Sequence, residues 1–168
     1  MTGGQIMKAI IDAMPANVEE FKAMPHMDLS KPENTCAMFL CALNLFVADR
    51  DAGVEAINIL KGPAELSAYD IQFLRDRVMD KPYLPMIYFE GATPENNYQP
   101  EAPYTLTLHE DGRPQDIEEG YLRLYLQTAG ADSKRPIKLR HKDGNWYVWD
   151  YPGLLSDVRK PKSEDPWA

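Results

Sequence analysis

The sequence predicts an α+β domain with N-terminal helices packed on one face of a C-terminal twisted antiparallel sheet. Three observations carry that expectation. Apolar residues recur at helical spacing through the first half, about residues 5–81. They alternate with period two in several runs of the second half, about residues 84–151. Helices first and strands afterwards is the order of an α+β chain rather than of alternating βαβ units. The 168 residues suit a single domain over residues 1–160, leaving 161–168 as a polar C-terminal tail.

Taken in order, Ile6, Ile10, Ile11 and Met14 mark a first amphipathic helix ended by Pro15. Val18 and Phe21 belong to a short second helix, opened by the cap signal Asn17-x-x-Glu20 and closed near Pro25. Ser30-x-x-Glu33 reads as a capping box ahead of a long apolar run. From Cys36 to Ala48 only Asn44 is polar, so this helix is expected to be buried all round, with Asn44 a buried amide in need of partners. A helix through residues 50–61 stops at Gly62-Pro63, and Ser67 caps a last one whose inner stripe is Ile71, Leu74 and Val78.

The strand half has four runs. Residues 84–89, LPMIYF, read as a buried strand, with Pro85 pointing to an edge or a strand start. Residues 104–110 and 121–127 alternate, the second with Leu122, Leu124 and Leu126 against Tyr121, Arg123 and Tyr125. Residues 135–151 form a hairpin about Asp143-Gly144, because both central residues of a type I′ turn need positive φ. Counting outward pairs Lys142 with Asn145, His141 with Trp146, Arg140 with Tyr147, Leu139 with Val148 and Lys138 with Trp149. Ile137, Leu139, Trp146 and Val148 then face the helices, and Lys138, Arg140, Tyr147 and Trp149 face away.

Composition narrows the function classes. With 44% hydrophobic residues the chain is of the folded, globular kind. A net charge of −8 and a pI near 4.9 repel nucleic-acid backbones and anionic lipid, so neither nucleic acid nor a membrane is an expected partner. No secretory signal and no run of eighteen uncharged apolar residues is present, and a cytoplasmic protein is expected. The opening MTGGQ is similar to the start of a phage-derived epitope tag, so Met1 to Gln5 carry no weight here. Cys36 and Cys41 lie five apart on one helix, about 140° around it, and read as two small buried hydrophobes.

Catalytic and metal motifs are missing. The sequence has no Gly-rich phosphate loop and no nucleophile elbow. His26, His109 and His141 are isolated, and Asp111-Gly112 reads as a turn rather than as half of a metal site, so no catalytic residue, metal or cofactor is expected. What stands out is the sheet face away from the leucines. Tyr121, Arg123, Tyr125, Lys138, Arg140, Tyr147 and Trp149 gather aromatic and cationic side chains there. Three readings fit: the cationic stems shield the rings by cation–π stacking; a protein partner or a second copy docks on them; or they stack a sugar or base.

Between the first two strand runs lies a loop of about fourteen residues, from Glu90 to Pro103, where two to five make a connector. Its Pro, Asn and Gly residues suit a rigid clasp with a fixed shape. The segments LKGPAELSAYDIQFLRDR, YFEGATPENNYQPEAPYTLTL, TAGADSKRPIKLR and NWYVWDYPGLLSDVRKP, with the ending DPWA, resemble a bacterial domain-of-unknown-function family found mainly in Clostridia and other Firmicutes. The resemblance covers approximately residues 50–168. It implies no catalytic residue and points to Gly91, Pro94, Asn96, Asn97, Tyr98, Pro100, Gly130, Ala131, Asp132, Arg135, Pro136 and Arg140 as family signature. Gly91, Pro94, Asn96, Asn97, Asp132 and Arg135 are expected to shape the loops, with Arg135 or Arg140 tying to the 90–101 loop.

The functional expectation is a non-catalytic binding or interaction module using the aromatic–cationic face and the 90–101 loop, with Tyr98, Tyr121, Arg123, Tyr125, Arg140, Tyr147 and Trp149 as contact residues. The alternative is a small-molecule enzyme or binder with a pocket between helices and sheet, in which Tyr88, Tyr98, Asp132 or a loop Glu handles substrate. It goes with an alternative fold, the cone of nuclear transport factor two and ketosteroid isomerase, against which no helix is seen between the first two strands. Trp167 is expected to anchor the polar tail back onto the domain.

Overall fold

A computed structural model describes residues 5–113 and 117–167; the remainder of the tag-like opening, Met1 to Gly4, and Ala168 of the DPWA ending lie outside the described residues. The first element is a strand, β1 (Ile6–Ile11), and not the expected helix. The spacing of Ile6, Ile10 and Ile11 fits both periods. Pairing decides between them: Met7, Ala9 and Ile11 turn toward the core while Ile6, Lys8 and Ile10 face outward, and the strand lies antiparallel to β2 (Tyr104–Glu110) in the register Ile6↔His109 to Ile11↔Tyr104. β-Branched isoleucines favour that half-buried pleated setting.

Four helices follow before the chain returns to the sheet. Asn17 caps α1 (Val18–Ala23) through the Glu20 amide, as its spacing indicates. The long apolar helix is α2 (Pro32–Ala48), whose side chains are buried without a break from Thr35 to Leu43. Its start differs from the expected capping box: Lys31 is the cap residue, Pro32 opens the helix, and the Ser30 hydroxyl donates to Asp28. Asn44 is only partly buried, so water can serve its amide. Asp49 caps α3 (Arg50–Lys61), and a full Ser67/Asp70 capping box opens α4 (Ala68–Val78) with Leu74 and Val78 inward.

Residues 84–89 do not form a strand. Leu84–Met86 is a single 3-10 turn, and only Phe89 bridges to the sheet, at Leu106. Pro85 lacks the N–H a ladder needs. The remaining strands are β3 (Tyr121–Leu126), β4 (Arg135–Lys142) and β5 (Asn145–Asp150), giving the order β1-β2-β3-β4-β5, all antiparallel. The fold is therefore α+β, with all four helices inserted between the first and second strands. The β4–β5 turn has Asp143 at φ 51° and Gly144 at φ 84°, as a type I′ turn requires. Pairing follows the counted register from Lys142↔Asn145 to Leu139↔Val148, then shifts at a bulge so that Lys138 opposes Asp150 instead of Trp149.

The sheet curls around α2, which touches both edge strands, β1 and β5. Each edge strand has one residue whose backbone is bonded from outside the sheet. At β5, Trp146 donates its N–H to Leu29 and its carbonyl accepts from the Thr35 hydroxyl at 2.8 Å. At β1, His26 Nε2 donates to the Ile10 carbonyl at 2.6 Å. Leu106, Leu108, Leu124, Leu126, Ile137, Leu139 and Val148 line the inner face against α2, so the space between helices and sheet is filled with side chains.

Candidate functional site

The outer face of the sheet divides the expected contact residues into three groups. The first is a stack. Arg140 lies over both the Tyr121 ring, 5.3 Å from its centroid, and the Trp149 ring, at 4.6 Å, and Lys138 covers Tyr121 at 4.8 Å. Tyr121 and Trp149 meet edge to face at 5.7 Å. Strand pairing brings Tyr121 opposite Arg140, and the bulge at Lys138/Leu139 shifts Trp149 out of the counted pair. The cationic stems cover part of the rings, yet Trp149 remains 40% exposed, and among the described residues neither Lys138 nor Arg140 has a carboxylate within ion-pair distance.

The second group centres on Asp111, at the end of β2. Its carboxylate accepts from Arg123 Nε at 2.7 Å and from the Tyr125 hydroxyl at 3.1 Å, while its other oxygen accepts the Arg113 amide at 2.8 Å. The Arg113 amide first, and then the Arg123 side chain, hold the Asp111 carboxyl below its ordinary value. Arg123 and Tyr125 are thus committed to an intramolecular network. Asp111 was legible only as a turn residue, because it lies one position beyond the strand and outside any cross-strand count. Tyr147 stands apart at the β5 edge, its ring against Gly62 at the end of α3.

Tyr98 belongs to none of the three groups. It is 1% exposed, stacks on Tyr83 at 5.3 Å and donates its hydroxyl to the Arg159 carbonyl at 2.5 Å. The 90–101 loop around it is built from local bonds: Thr93 and Asn96 cap the Pro94–Asn96 turn reciprocally, Asn96 Nδ2 donates to the Gly91 carbonyl, and Asn97 and Tyr98 take positive φ. Neither Arg135 nor Arg140 ties to this loop, contrary to expectation. Arg135 donates to the Asp157 carbonyl at 2.7 Å, and Arg140 is in the stack. The loop is held by the C-terminal segment instead, through Tyr98 to Arg159 and through the Ser163 amide to Asn97 Oδ1 at 2.9 Å. Arg159 also pairs with Asp132 and donates its amide to Gly130. Trp167 does not anchor this segment, being 93% exposed.

The side chains named for an enzymatic alternative do not converge. Burial pushes the Tyr88 hydroxyl well above its ordinary range, and it donates to the Leu154 carbonyl at 2.5 Å. Tyr98 is bonded in the loop, and Asp132 is on the surface with Arg159. Among the described residues no cluster of three His, Cys, Asp or Glu has metal-binding geometry, and no helix is long and apolar enough to cross a membrane. Grooves among the described residues open to the surface. One, of about 500 Å³, runs beside the stack and is lined by Lys61, Pro63, Ala64, Arg140, His141, Lys142, Tyr147, Val148 and Trp149.

Lys61, in the last turn of α3, is only 9% exposed and lies over the Tyr151 ring at 5.7 Å; no local signal in the sequence marks it. Desolvation lowers its pKa, opposed by the charges of Asp70 and Asp150. The geometry defines an α+β protein with a cationic–aromatic corner on the outer sheet face. The chain belongs to the family described as a domain of unknown function, DUF6935, whose model matches residues 13–162. That span reaches further toward the N-terminus than the resemblance over residues 50–168 and stops short of Asp165–Trp167. No curated protein and no solved structure matches the chain.

Proposed function

We propose that this protein is a non-catalytic interaction module that docks an acidic segment carrying an aromatic or apolar side chain on the corner formed by Tyr121, Lys138, Arg140 and Trp149. The observation that carries this reading is the stack itself. In a chain of net charge −8 it gathers two cations without described carboxylate partners beside a half-exposed indole. Tyr, Trp and Arg are the side chains that dominate interface energetics when they are desolvated together. The filled interior supports docking at the surface over turnover in a cavity.

The 90–101 loop enters as scaffold, since its inward residue Tyr98 and its Asn97 are both engaged by the C-terminal segment. The outer contact set thus narrows to the corner, with Arg123 and Tyr125 stiffening the sheet beside it through Asp111. Free, buried Cys36 and Cys41 support a reducing, cytoplasmic setting.

The test is fluorescence polarisation with a labelled peptide of alternating Glu and Trp. Binding is expected to weaken by about tenfold or more in Arg140→Glu, as loss of an interface hot spot does. It should weaken also as salt rises. Equal binding by wild type and Arg140→Glu would overturn the assignment to this corner.

A further inference from the structure

The groove beside the stack presents an unpaired guanidinium: among the described residues no carboxylate lies within ion-pair distance of Arg140. Lys61 lines the groove's inner side, with its ammonium turned over the Tyr151 ring, where the charges of Asp70 and Asp150 reach it. Arg140, His141 and Lys142 line the same groove with Tyr147 and Trp149, and no Asp or Glu does. A volume of about 500 Å³ is of the size that takes one large side chain and its flanking backbone.

The C-terminal segment offers the complementary chemistry. At the end of the Lys162–Glu164 turn, Glu164 and Asp165 are exposed and have no ion-pair partner among the described residues. Asp165 Oδ1 accepts the Trp167 amide at 2.9 Å and so sets the direction of the chain, while the indole is 93% exposed. Two carboxylates and an indole on one short segment match the charge and the aromatic lining of the groove. Exposed tryptophan in water is a cost that docking removes.

The strap that carries this segment is fixed at the end of β4 away from the groove. Arg135, at the start of β4, holds Asp157, whereas Arg140 to Lys142, at the other end of the strand, line the groove. Five residues of strand separate Arg135 from Arg140, about 17 Å at strand rise. The four residues beyond Ser163, which is fixed to Asn97, span at most about 14 Å.

We infer that the groove lined by Lys61, Arg140 and Trp149 receives the Glu164–Trp167 segment of a second copy of this chain. The inference rests on the interaction-module reading above and names its partner. The indole enters against Trp149 and Tyr147, and the carboxylates of Glu164 and Asp165 meet Arg140, with Lys142, which also pairs with Asp143, beside it. Because groove and segment are different surfaces, the contact is either reciprocal in a closed dimer or head to tail.

Sedimentation equilibrium of the full chain over a range of concentrations tests this, with Trp167→Ala and Arg140→Glu as variants. Trp167 touches little of its own chain, so its removal leaves the fold intact. The wild type is expected to self-associate, and each variant to weaken association by about tenfold or more. Mixing the two variants is expected to restore association, since one keeps the groove and the other keeps the segment. A wild type that stays monomeric throughout, or a Trp167→Ala variant that associates as the wild type does, would overturn the inference. The Glu/Trp peptide separates the two ideas: peptide binding lost in Arg140→Glu, beside a monomeric wild type, removes the second copy and keeps the module. Neither peptide binding nor association removes both.

Discussion

Asp111 fastens three groups at once: the Arg113 amide, the Arg123 guanidinium and the Tyr125 hydroxyl. Its carboxyl is held below the ordinary value of 3.8, so the ionised form is the one the fold favours. The stabilisation is complete above that ordinary value and is lost as pH falls through the lowered one. Asp111→Asn is therefore expected to be less stable than the wild type at about pH 7, with the gap narrowing toward about pH 2.5. Urea-unfolding midpoints at the two pH values check it; a gap that stays constant would separate Asp111 from the acid limb. At this scale the sequence was partly legible. Arg123 and Tyr125 were singled out by alternation, but their common partner was not. Which carboxylate an arginine meets depends on where the preceding strand ends. Lys61 was hidden for a similar reason: its burial comes from Tyr151 and the β5 edge, distant in the chain.

Between elements, close approach decides what a local preference cannot. α3 packs on α2 so tightly at Gly53 that an added methyl would collide with the backbone and Cβ of Phe46. Helix propensity alone makes Gly53→Ala stabilising by about 1 kcal/mol. Overpacking against backbone, which cannot swing aside, costs about 1–3 kcal/mol or more and outweighs it. The expected outcome is a net loss of up to about 2 kcal/mol, read as a lower urea midpoint with unchanged slope; a rise in the midpoint would mean that the helices separate freely. The same contest explains the two misread elements. Ile6–Ile11 satisfies a helical spacing and a strand alternation equally, and only the presence of Tyr104–Glu110 beside it settles the matter. Residues 84–89 have strand-forming side chains, but Pro85 and the 3-10 turn leave Phe89 as a single bridge. Helices with unambiguous caps, at Asn17 and Ser67, and the Asp143-Gly144 hairpin were legible because their signals are local.

Across the whole molecule, the C-terminal segment acts as a strap that joins pieces the sheet does not connect. It ties to Arg135 at Asp157, to Gly130 and Tyr98 at Arg159, and to Asn97 at Ser163. Truncation after Ser156 removes these bonds together with the packing of Val158 and the buried Pro161. At about 1 kcal/mol net for each hydrogen bond, the loss is about 4 kcal/mol. In a chain of this size that corresponds to a Tm lower by about 10 °C, measurable by calorimetry. A shift under about 2 °C would reduce the strap to a decoration of the surface. The sequence by itself determined the α+β class, the core helix, the hairpin with most of its register, and the outward placing of Tyr121, Arg140 and Trp149, because period and turn chemistry are properties of neighbouring residues. Only the tertiary structure decided that Ile6–Ile11 is a strand, that Tyr98 serves the strap, that Trp167 projects away, and that Lys61 comes to lie buried over Tyr151. Each of those depends on which distant segment occupies the adjoining space, and no local pattern encodes that.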